Sequence, residues 1–333
     1  MVDVVGAVVI GGGPCGLAAS IAMQRAGVSN VIIERDCLVS GIASYPTEMS
    51  FFSTAERISI GGVPFSIATP KPTRRDALAY YRTVAQHHGV TVHQYETVEQ
   101  LAQLAPERWQ VTSRNRFGVS RVLETSAVVM ATGYFGLPNR LGVPGESLPH
   151  VHYRFVEGHM AFDQDVVVVG GANSAVDAAL ELYRAGARVT LVHFEEALDP
   201  KVKPWVRPDM DGRVKDGAIT LRLNARVVSI TGEHVEIDVE GRRERLPAQH
   251  VFTMLGYMPE TGLLRQVQAP IHALTGVPTH DPATMETPLD GLFIAGVLAS
   301  GFDANKTFIE NGRFHGDLIV ARILEKQQQS VGV

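Results

Sequence analysis

Three glycines set the first chemical expectation, because Gly11-x-Gly13-x-x-Gly16 is a spacing at which backbone can wrap a pyrophosphate. Gly11 permits the tight turn, Gly13 lets the main chain approach the phosphates, and Gly16 lets the following helix pack against its strand. A helix opening at Pro14 adds N–H groups and a partial positive charge aimed at the same anion. Glu34, at the end of the next apolar run, stands where a carboxylate accepts hydrogen bonds from a ribose diol. Glycines cluster in any turn, so the flanks decide. Here they are an apolar strand at 4–10, an alanine-rich helical stretch at 17–26 and a second strand at 31–34.

The device recurs. Gly170-Gly171-Ala172-Asn173-Ser174-Ala175 separates an apolar run at 166–169 from a helical stretch at 176–185 and a strand at 189–193, with His193 at the strand end. Ala172 replaces the glycine of closest approach, and its methyl loosens the hold on a dinucleotide. Two such sites in one chain suit one permanently held redox cofactor and one exchanging coenzyme, as hydride transfer between them requires. FAD at the first turn and a nicotinamide coenzyme at the second is the economical assignment.

Cys15 admits two roles. In the first turn of a helix its thiol pKa can fall to about 3.5–7.5, giving a thiolate that attacks a small disulfide. Alternatively it is a small apolar residue after Pro14, with the pyrophosphate charge opposing its ionisation. Cys37 follows the second strand and reads as a bystander. His87, His88, His150, His152, His159 and His315 have no carboxylate or cysteine at a recurring ligand spacing, so no metal is expected. A helix is expected from about Lys306, with Lys306 and Thr307 at its start stabilising negative charge on a reduced flavin.

The elements that must position these groups suit two domains over 333 residues. Between the two turns lie a helix at 73–88, strands at 90–93, 109–112 and 120–123, and a buried strand ending at Ala131. Alternation at 220–239 predicts an antiparallel piece, and 251–255 closes that domain. The chain then returns to the first domain from about Gly256, and 327–333 reads as a frayed tail. The expectation is an α/β protein with two Rossmann-like dinucleotide-binding domains, the second inserted into the first. The FAD domain takes 1–140 and 257–333, and the NAD(P)H domain 141–256.

Composition narrows the class. With 45% apolar residues, 20% charged residues and 32 glycines, disorder, collagen and a disulfide scaffold are excluded. No apolar run nears the ~20 residues of a spanning helix, and no basic residue precedes Arg25 as a secretory signal would require. Two cysteines suit the reducing cytoplasm. A net charge of −5 without a long basic block argues against nucleic acid or a membrane surface as partner.

The Gly11 to Gly16 loop, Ala131-Thr132-Gly133, the Gly170 to Ala175 loop and Leu292-Phe293-Ile294-Ala295-Gly296 together resemble the thioredoxin-reductase-like flavoproteins over nearly the whole chain. Finer features are similar to the bacillithiol disulfide reductases: Gly-Gly-Gly-Pro-Cys-Gly at 11–16, Tyr45-Pro46-Thr47 with Phe51-Phe52-Ser53, Lys203-Pro204-Trp205, and Phe-Ile-Glu-Asn-Gly-Arg-Phe-His-Gly at 308–316. The resemblance implies an FAD enzyme of the bacterial cytosol that uses NADPH to reduce the disulfide of the small thiol bacillithiol, working as a homodimer or homotetramer. It also adds Thr47, Ala131, Thr132, Gly133 and Gly296 to the flavin contacts.

Three departures bear on mechanism. The stretch around 150–159, where thioredoxin reductases carry Cys-x-x-Cys, has no cysteine, which disfavours thioredoxin as substrate. Ala295-Gly296-Val297 lacks the family's aspartate toward the ribityl chain, with Asp303 or Asn305 as replacements. Phe194 and Glu195 follow His193 in place of a phosphate-binding arginine pair, and Glu195 suits the ribose diol of NADH. Arg207, Lys201 and Lys203 are the substitute cations, so NADPH follows from resemblance and NADH from local chemistry. Competing functions are a ferredoxin or flavodoxin reductase on the same plan, a flavin monooxygenase suggested by Gly145, His150 and Tyr153, and a non-catalytic flavin-binding sensor.

Overall fold

The computed structural model describes residues 3–331. The described residues divide into two compact units, one of 3–44, 49–137 and 258–331, the other of Tyr45–Glu48 and Pro138–Tyr257. Thr47, a predicted flavin contact, falls in the second unit, where its amide donates to the Val156 carbonyl at 2.8 Å.

In the first unit, strands Val92–Gln94, Asn30–Glu34, Asp3–Ile10 and Ser120–Met130 lie side by side in parallel, with Leu292–Ile294 joining the far edge of Ser120–Met130. The central runs at 7–10, 31–33 and 127–130 are apolar without alternation because both faces are covered, and Val8, Val9, Val128 and Val129 are all fully buried. The Pro14–Arg25 helix crosses between the first two strands. Its small residues let it approach the C-terminal helix closely, since a Cβ at Gly316 would stand 2.6 Å from the Ala19 Cα. The Arg74–His87 helix opens on a capping box in which the Thr73 hydroxyl and the Asp76 carboxylate each accept the other's amide.

In this unit four expectations need correction. Strand 120–123 and the strand ending at Ala131 are one element, Ser120–Met130; its first half pairs antiparallel with Arg108–Asn115 and its second half parallel with Asp3–Ile10. Glu96–Ala105, where no strand was expected, extends that antiparallel side. The tail does not fray at 327, because the His315–Val331 helix runs through it; residues 332 and 333 lie outside the described residues. No helix begins at Lys306: the short helix is Ile309–Gly312.

The second unit repeats the plan in smaller form. Parallel strands run in the order Ile219–Arg222, Arg188–Val192, Asp165–Val169, His250–Thr253, Val151–His152, with the Asn173–Arg184 helix linking two neighbours. The predicted antiparallel piece at 220–239 divides here. Ile219–Arg222 is an edge of the parallel sheet, and the meander is Ala225–Ile230, His234–Val239 and Arg242–Pro247. No helix among the described residues is long and apolar enough to cross a membrane.

Candidate active site

At the first turn, two of the three glycines are closed by main chain and one is open. A Cβ at Gly11, whose φ is +110°, would fall 2.3 Å from the Ala131 carbonyl oxygen, and one at Gly16 would fall 2.1 Å from the Gly11 carbonyl oxygen. Both therefore serve packing, and Ala131 and Thr132 are drawn against the turn. A Cβ at Gly13 meets nothing within 4 Å. Gly13 is the N-cap of the Pro14–Arg25 helix and no side chain caps it, so the helix start presents main-chain donors to that open side. This cradle fits a dinucleotide pyrophosphate.

Glu34 is buried to 7% exposure and holds the turn from below. One carboxylate oxygen accepts the Gly12 amide at 2.6 Å, and the other accepts the Asp36 amide at 2.9 Å and the Ser40 hydroxyl at 3.1 Å. A carboxylate has about four acceptor positions, so these bonds leave capacity for a ribose hydroxyl.

Cys15 is partly exposed as a residue, but its sulfur is enclosed by two distant glycines. A Cβ at Gly312 would stand 2.9 Å from Sγ, and one at Gly296 3.1 Å. Burial pushes the thiol up to about 12, so the site supplies position without acidity. Gly296 is in the left-handed region at φ +72° and donates its amide to Nδ1 of His315 at 3.2 Å. That bond places the ring proton on Nε2, and burial, with His280 nearby, keeps the His315 pKa below its ordinary value. Gly312 as the partner of Cys15 escaped sequence reasoning, since nothing in the spacing of 15 and 312 signals contact.

Thr307 accepts a hydrogen bond from Ser300 and its methyl lies near Gly312, within the same cluster. Lys306 is set apart: its side chain is 69% exposed and 4.0 Å from Asp303, in a turn rather than at a helix start. Asp303 also accepts the Asn305 amide at 3.2 Å. Gly133, at φ +75°, has open space on its Cβ side.

At the second turn Gly170 adopts φ +143°, and a Cβ there would fall 2.5 Å from the Met254 carbonyl oxygen and 3.0 Å from the Ala175 methyl. A Cβ at Gly171 would fall 2.4 Å from the His193 ring, so this glycine seats the strand-end histidine. His193 is buried and its ring nitrogens make no hydrogen bond, the nearest carboxylate being Glu195 at 3.4 Å from Nε2. Ala172 is exposed and caps the Asn173–Arg184 helix without a side-chain bond. Ser174 is exposed beside it. The open helix start and the buried imidazole, without a hydrogen bond to either ring nitrogen, suit a second dinucleotide. Among the described residues no group of three or more His, Cys, Asp or Glu is arranged to hold a metal.

A doubly repeated strand–turn–helix unit with a buried thiol at one turn is the arrangement of a flavin- and pyridine-nucleotide-dependent oxidoreductase. Residues 8–296 match the family model described as pyridine nucleotide-disulphide oxidoreductase, and the chain belongs to that family. It is 42% identical over 326 residues to the bacilliredoxin reductase Bdr of Bacillus subtilis, covering 96% of this chain and 98% of that one. It is similar to the solved bacillithiol disulfide reductase Bdr (YpdA) of Bacillus cereus, with a TM-score of 0.95 and 42% identity over 97% of this chain and 100% of that one. The corresponding structure from Staphylococcus aureus gives a TM-score of 0.92 and 40% identity over 98% of this chain and 100% of that one.

Proposed function

We propose that the chain holds FAD on the Gly11 to Gly16 turn, takes NADPH at the Gly170 to Ala175 turn, and reduces a small symmetrical disulfide. Bacillithiol disulfide is the substrate class, as the names of the Bacillus cereus and Staphylococcus aureus relatives state for those proteins. The carrying observation is Gly13, open to 4 Å between two glycines that main chain closes. Between a strand and the uncapped start of the helix it feeds, an open glycine lets a ligand's phosphates approach the main chain.

Gly11, Gly13, Pro14, Cys15 and Gly16 would line the pyrophosphate, Glu34 the ribose, and Ala131, Thr132, Gly133, Gly296 and Thr307 the remainder, with Lys306 and Thr47 as outlying contacts. Gly170, Gly171, Ala172, Asn173, Ser174, Ala175 and His193 would line the coenzyme. Bound FAD supplies two-electron exchange between reduced coenzyme and disulfide. Glu34 holds the turn by accepting the Gly12 amide and ties it to the chain after the second strand through the Asp36 amide. Cys15 would serve as the thiol of a covalent relay: its sulfur bonds to one sulfur of the substrate while its proton leaves with the other as a first thiol, and two electrons from the reduced coenzyme with two protons then cleave the mixed disulfide, releasing the second thiol and restoring the Cys15 thiol. A cytoplasmic homodimer or homotetramer completes the proposal.

The test is anaerobic addition of NADPH or NADH to the purified yellow protein, followed by bacillithiol disulfide, glutathione disulfide, an oxidised bacilliredoxin, or ferredoxin. Reoxidation by bacillithiol disulfide supports the proposal. Reoxidation by ferredoxin alone would assign a ferredoxin reductase instead.

A further inference from the structure

Asn173 opens the Asn173–Arg184 helix, yet its side chain does not cap that helix. Its amide spans one tripeptide far along the chain: Nδ2 donates to the Lys201 carbonyl at 3.2 Å and Oδ1 accepts the Lys203 amide at 2.9 Å. Both polar ends of one side chain are thus committed to the two main-chain groups that flank Val202. The same segment is tied to the turn a second time, because the Gly171 carbonyl accepts the Asp199 amide at 3.0 Å. Asp199 then folds the segment on itself, accepting the Lys201 amide on its carboxylate at 2.7 Å and the Val202 amide on its carbonyl at 3.0 Å. Leu198 and Val202 are buried in the same apolar cluster as Ala175 and Val176, which fixes the segment from beneath. The lysine backbones on either side of Val202 are therefore held against the second turn.

Several other cations of this unit are paired with carboxylates. Arg207 reaches Asp211 at 2.8 and 3.0 Å, Arg184 bonds Glu181 and Asp209, Arg213 pairs with Asp209 at 3.1 Å, and Arg222 with Glu244 at 3.1 Å. Arg226 stacks over the exposed Phe194 ring at 5.0 Å. The strand-end carboxylate of Glu195 lies 3.4 Å from the His193 ring. Lys201 is exposed, and Lys203 carries its ammonium 6.0 Å from the Trp205 ring centroid with Asp177 as its acidic neighbour.

We propose that Asn173 is a positioning residue which pins Lys201 and Lys203 beside the second turn, so that these two ammonium groups select the coenzyme bearing a 2′-phosphate. The inference rests on the assignment of that turn to a nicotinamide dinucleotide. Lysine suits the role because a phosphate dianion accepts from a compact point charge without the fork geometry of an arginine pair.

The holoenzyme is tested by calorimetric titration with adenosine 2′,5′-bisphosphate and with 5′-AMP, alongside the KM and kcat for NADPH and NADH. The unmodified protein binds the bisphosphate at least about tenfold more tightly than AMP. Lys201→Met/Lys203→Met removes that difference and raises KM for NADPH about tenfold or more, while KM for NADH moves by about twofold or less. Asn173→Ala lowers the discrimination about fivefold, with the loss in KM rather than kcat, and Lys203→Arg retains it. Equal binding of the two probes by the unmodified protein, or lysine variants that keep the difference, would overturn the inference while leaving the coenzyme site intact. If neither probe binds and neither coenzyme bleaches the flavin, the assignment of the turn falls together with it.

Discussion

The Glu34 carboxylate and the Gly12 amide meet at 2.6 Å, joining the end of the second strand to the middle of the first glycine turn. The acid expected to face a ribose is thus already part of the turn's own structure. Glu34→Ala would leave the Gly12 and Asp36 amides without their acceptor, at about 1–3 kcal/mol for a buried group. We expect a lower Tm in the flavin-free protein and weaker flavin retention on dialysis. Unchanged Tm and flavin content would show that water satisfies both amides equally well.

Substitutions at Gly13 and Gly16 are expected to separate ligand binding from folding. Gly16→Ala places a methyl 2.1 Å from the Gly11 carbonyl oxygen, a clash main chain must move to relieve, and is expected to abolish soluble expression or cost several kcal/mol, on the order of 3 or more. Gly13→Val adds a side chain into open space, so stability of the flavin-free protein is expected to hold within about 1 kcal/mol while flavin affinity drops at least about tenfold. A Gly13 variant that retains flavin normally would remove the pyrophosphate from this position.

The enclosed sulfur of Cys15 has a pH signature. With its thiol at about 12, thiolate is scarce at neutral pH and rises about tenfold per pH unit up to that value. Alkylation of Cys15 by iodoacetamide in the native protein should therefore be slow at pH 7 and climb without a plateau through pH 9. For the relay, Cys15→Ala should preserve flavin content and bleaching by NADPH while disulfide turnover falls at least about 100-fold. Turnover at the unmodified rate would make Cys15 a packing residue between Gly296 and Gly312.

Asp177 is the carboxyl on the Asn173–Arg184 helix whose burial, reinforced by Glu181, lifts its pKa from 3.8 to about 6. A raised carboxyl stabilises the fold where it is protonated and loses that contribution as pH rises through about 6, so its charged form is a cost at neutral pH. Discounted for its partial exposure, the gain from Asp177→Asn at pH 7.5 is about 1–2 kcal/mol, falling to about half by pH 5 and nearly to zero near pH 4. Denaturant melts at the three pH values check both size and direction. A gain that grows toward acid would reverse the assignment of cause.

Both strand–turn–helix units could be read from the sequence because each is a local pattern, complete within about 30 residues. Ser120–Met130 could not, because its two halves face different surroundings: alternating burial through Thr125, then four consecutive buried residues from Ala127 to Met130. Glu96–Ala105 is rich in Glu, Gln, Leu and Ala, residues that favour helix, and it is strand only because Arg108–Asn115 pairs with it through two register shifts. The site divides in the same way. Gly11, Gly13, Gly16 and Glu34 follow from spacing, whereas the Gly312 wall of Cys15 and the hold of Asn173 on Lys201 and Lys203 are long-range contacts that one sequence cannot express.

Electrons are expected to pass from a pyridine coenzyme through a bound flavin to a small disulfide. Anaerobic reduction of the purified holoenzyme by one equivalent of NADPH, followed by one equivalent of bacillithiol disulfide, tests it through the flavin absorbance. Bleaching and then full recovery of the yellow band, with two thiols released per coenzyme oxidised, is the expected result. A flavin that bleaches but stays reduced in the presence of the disulfide, with no thiol released, would contradict it.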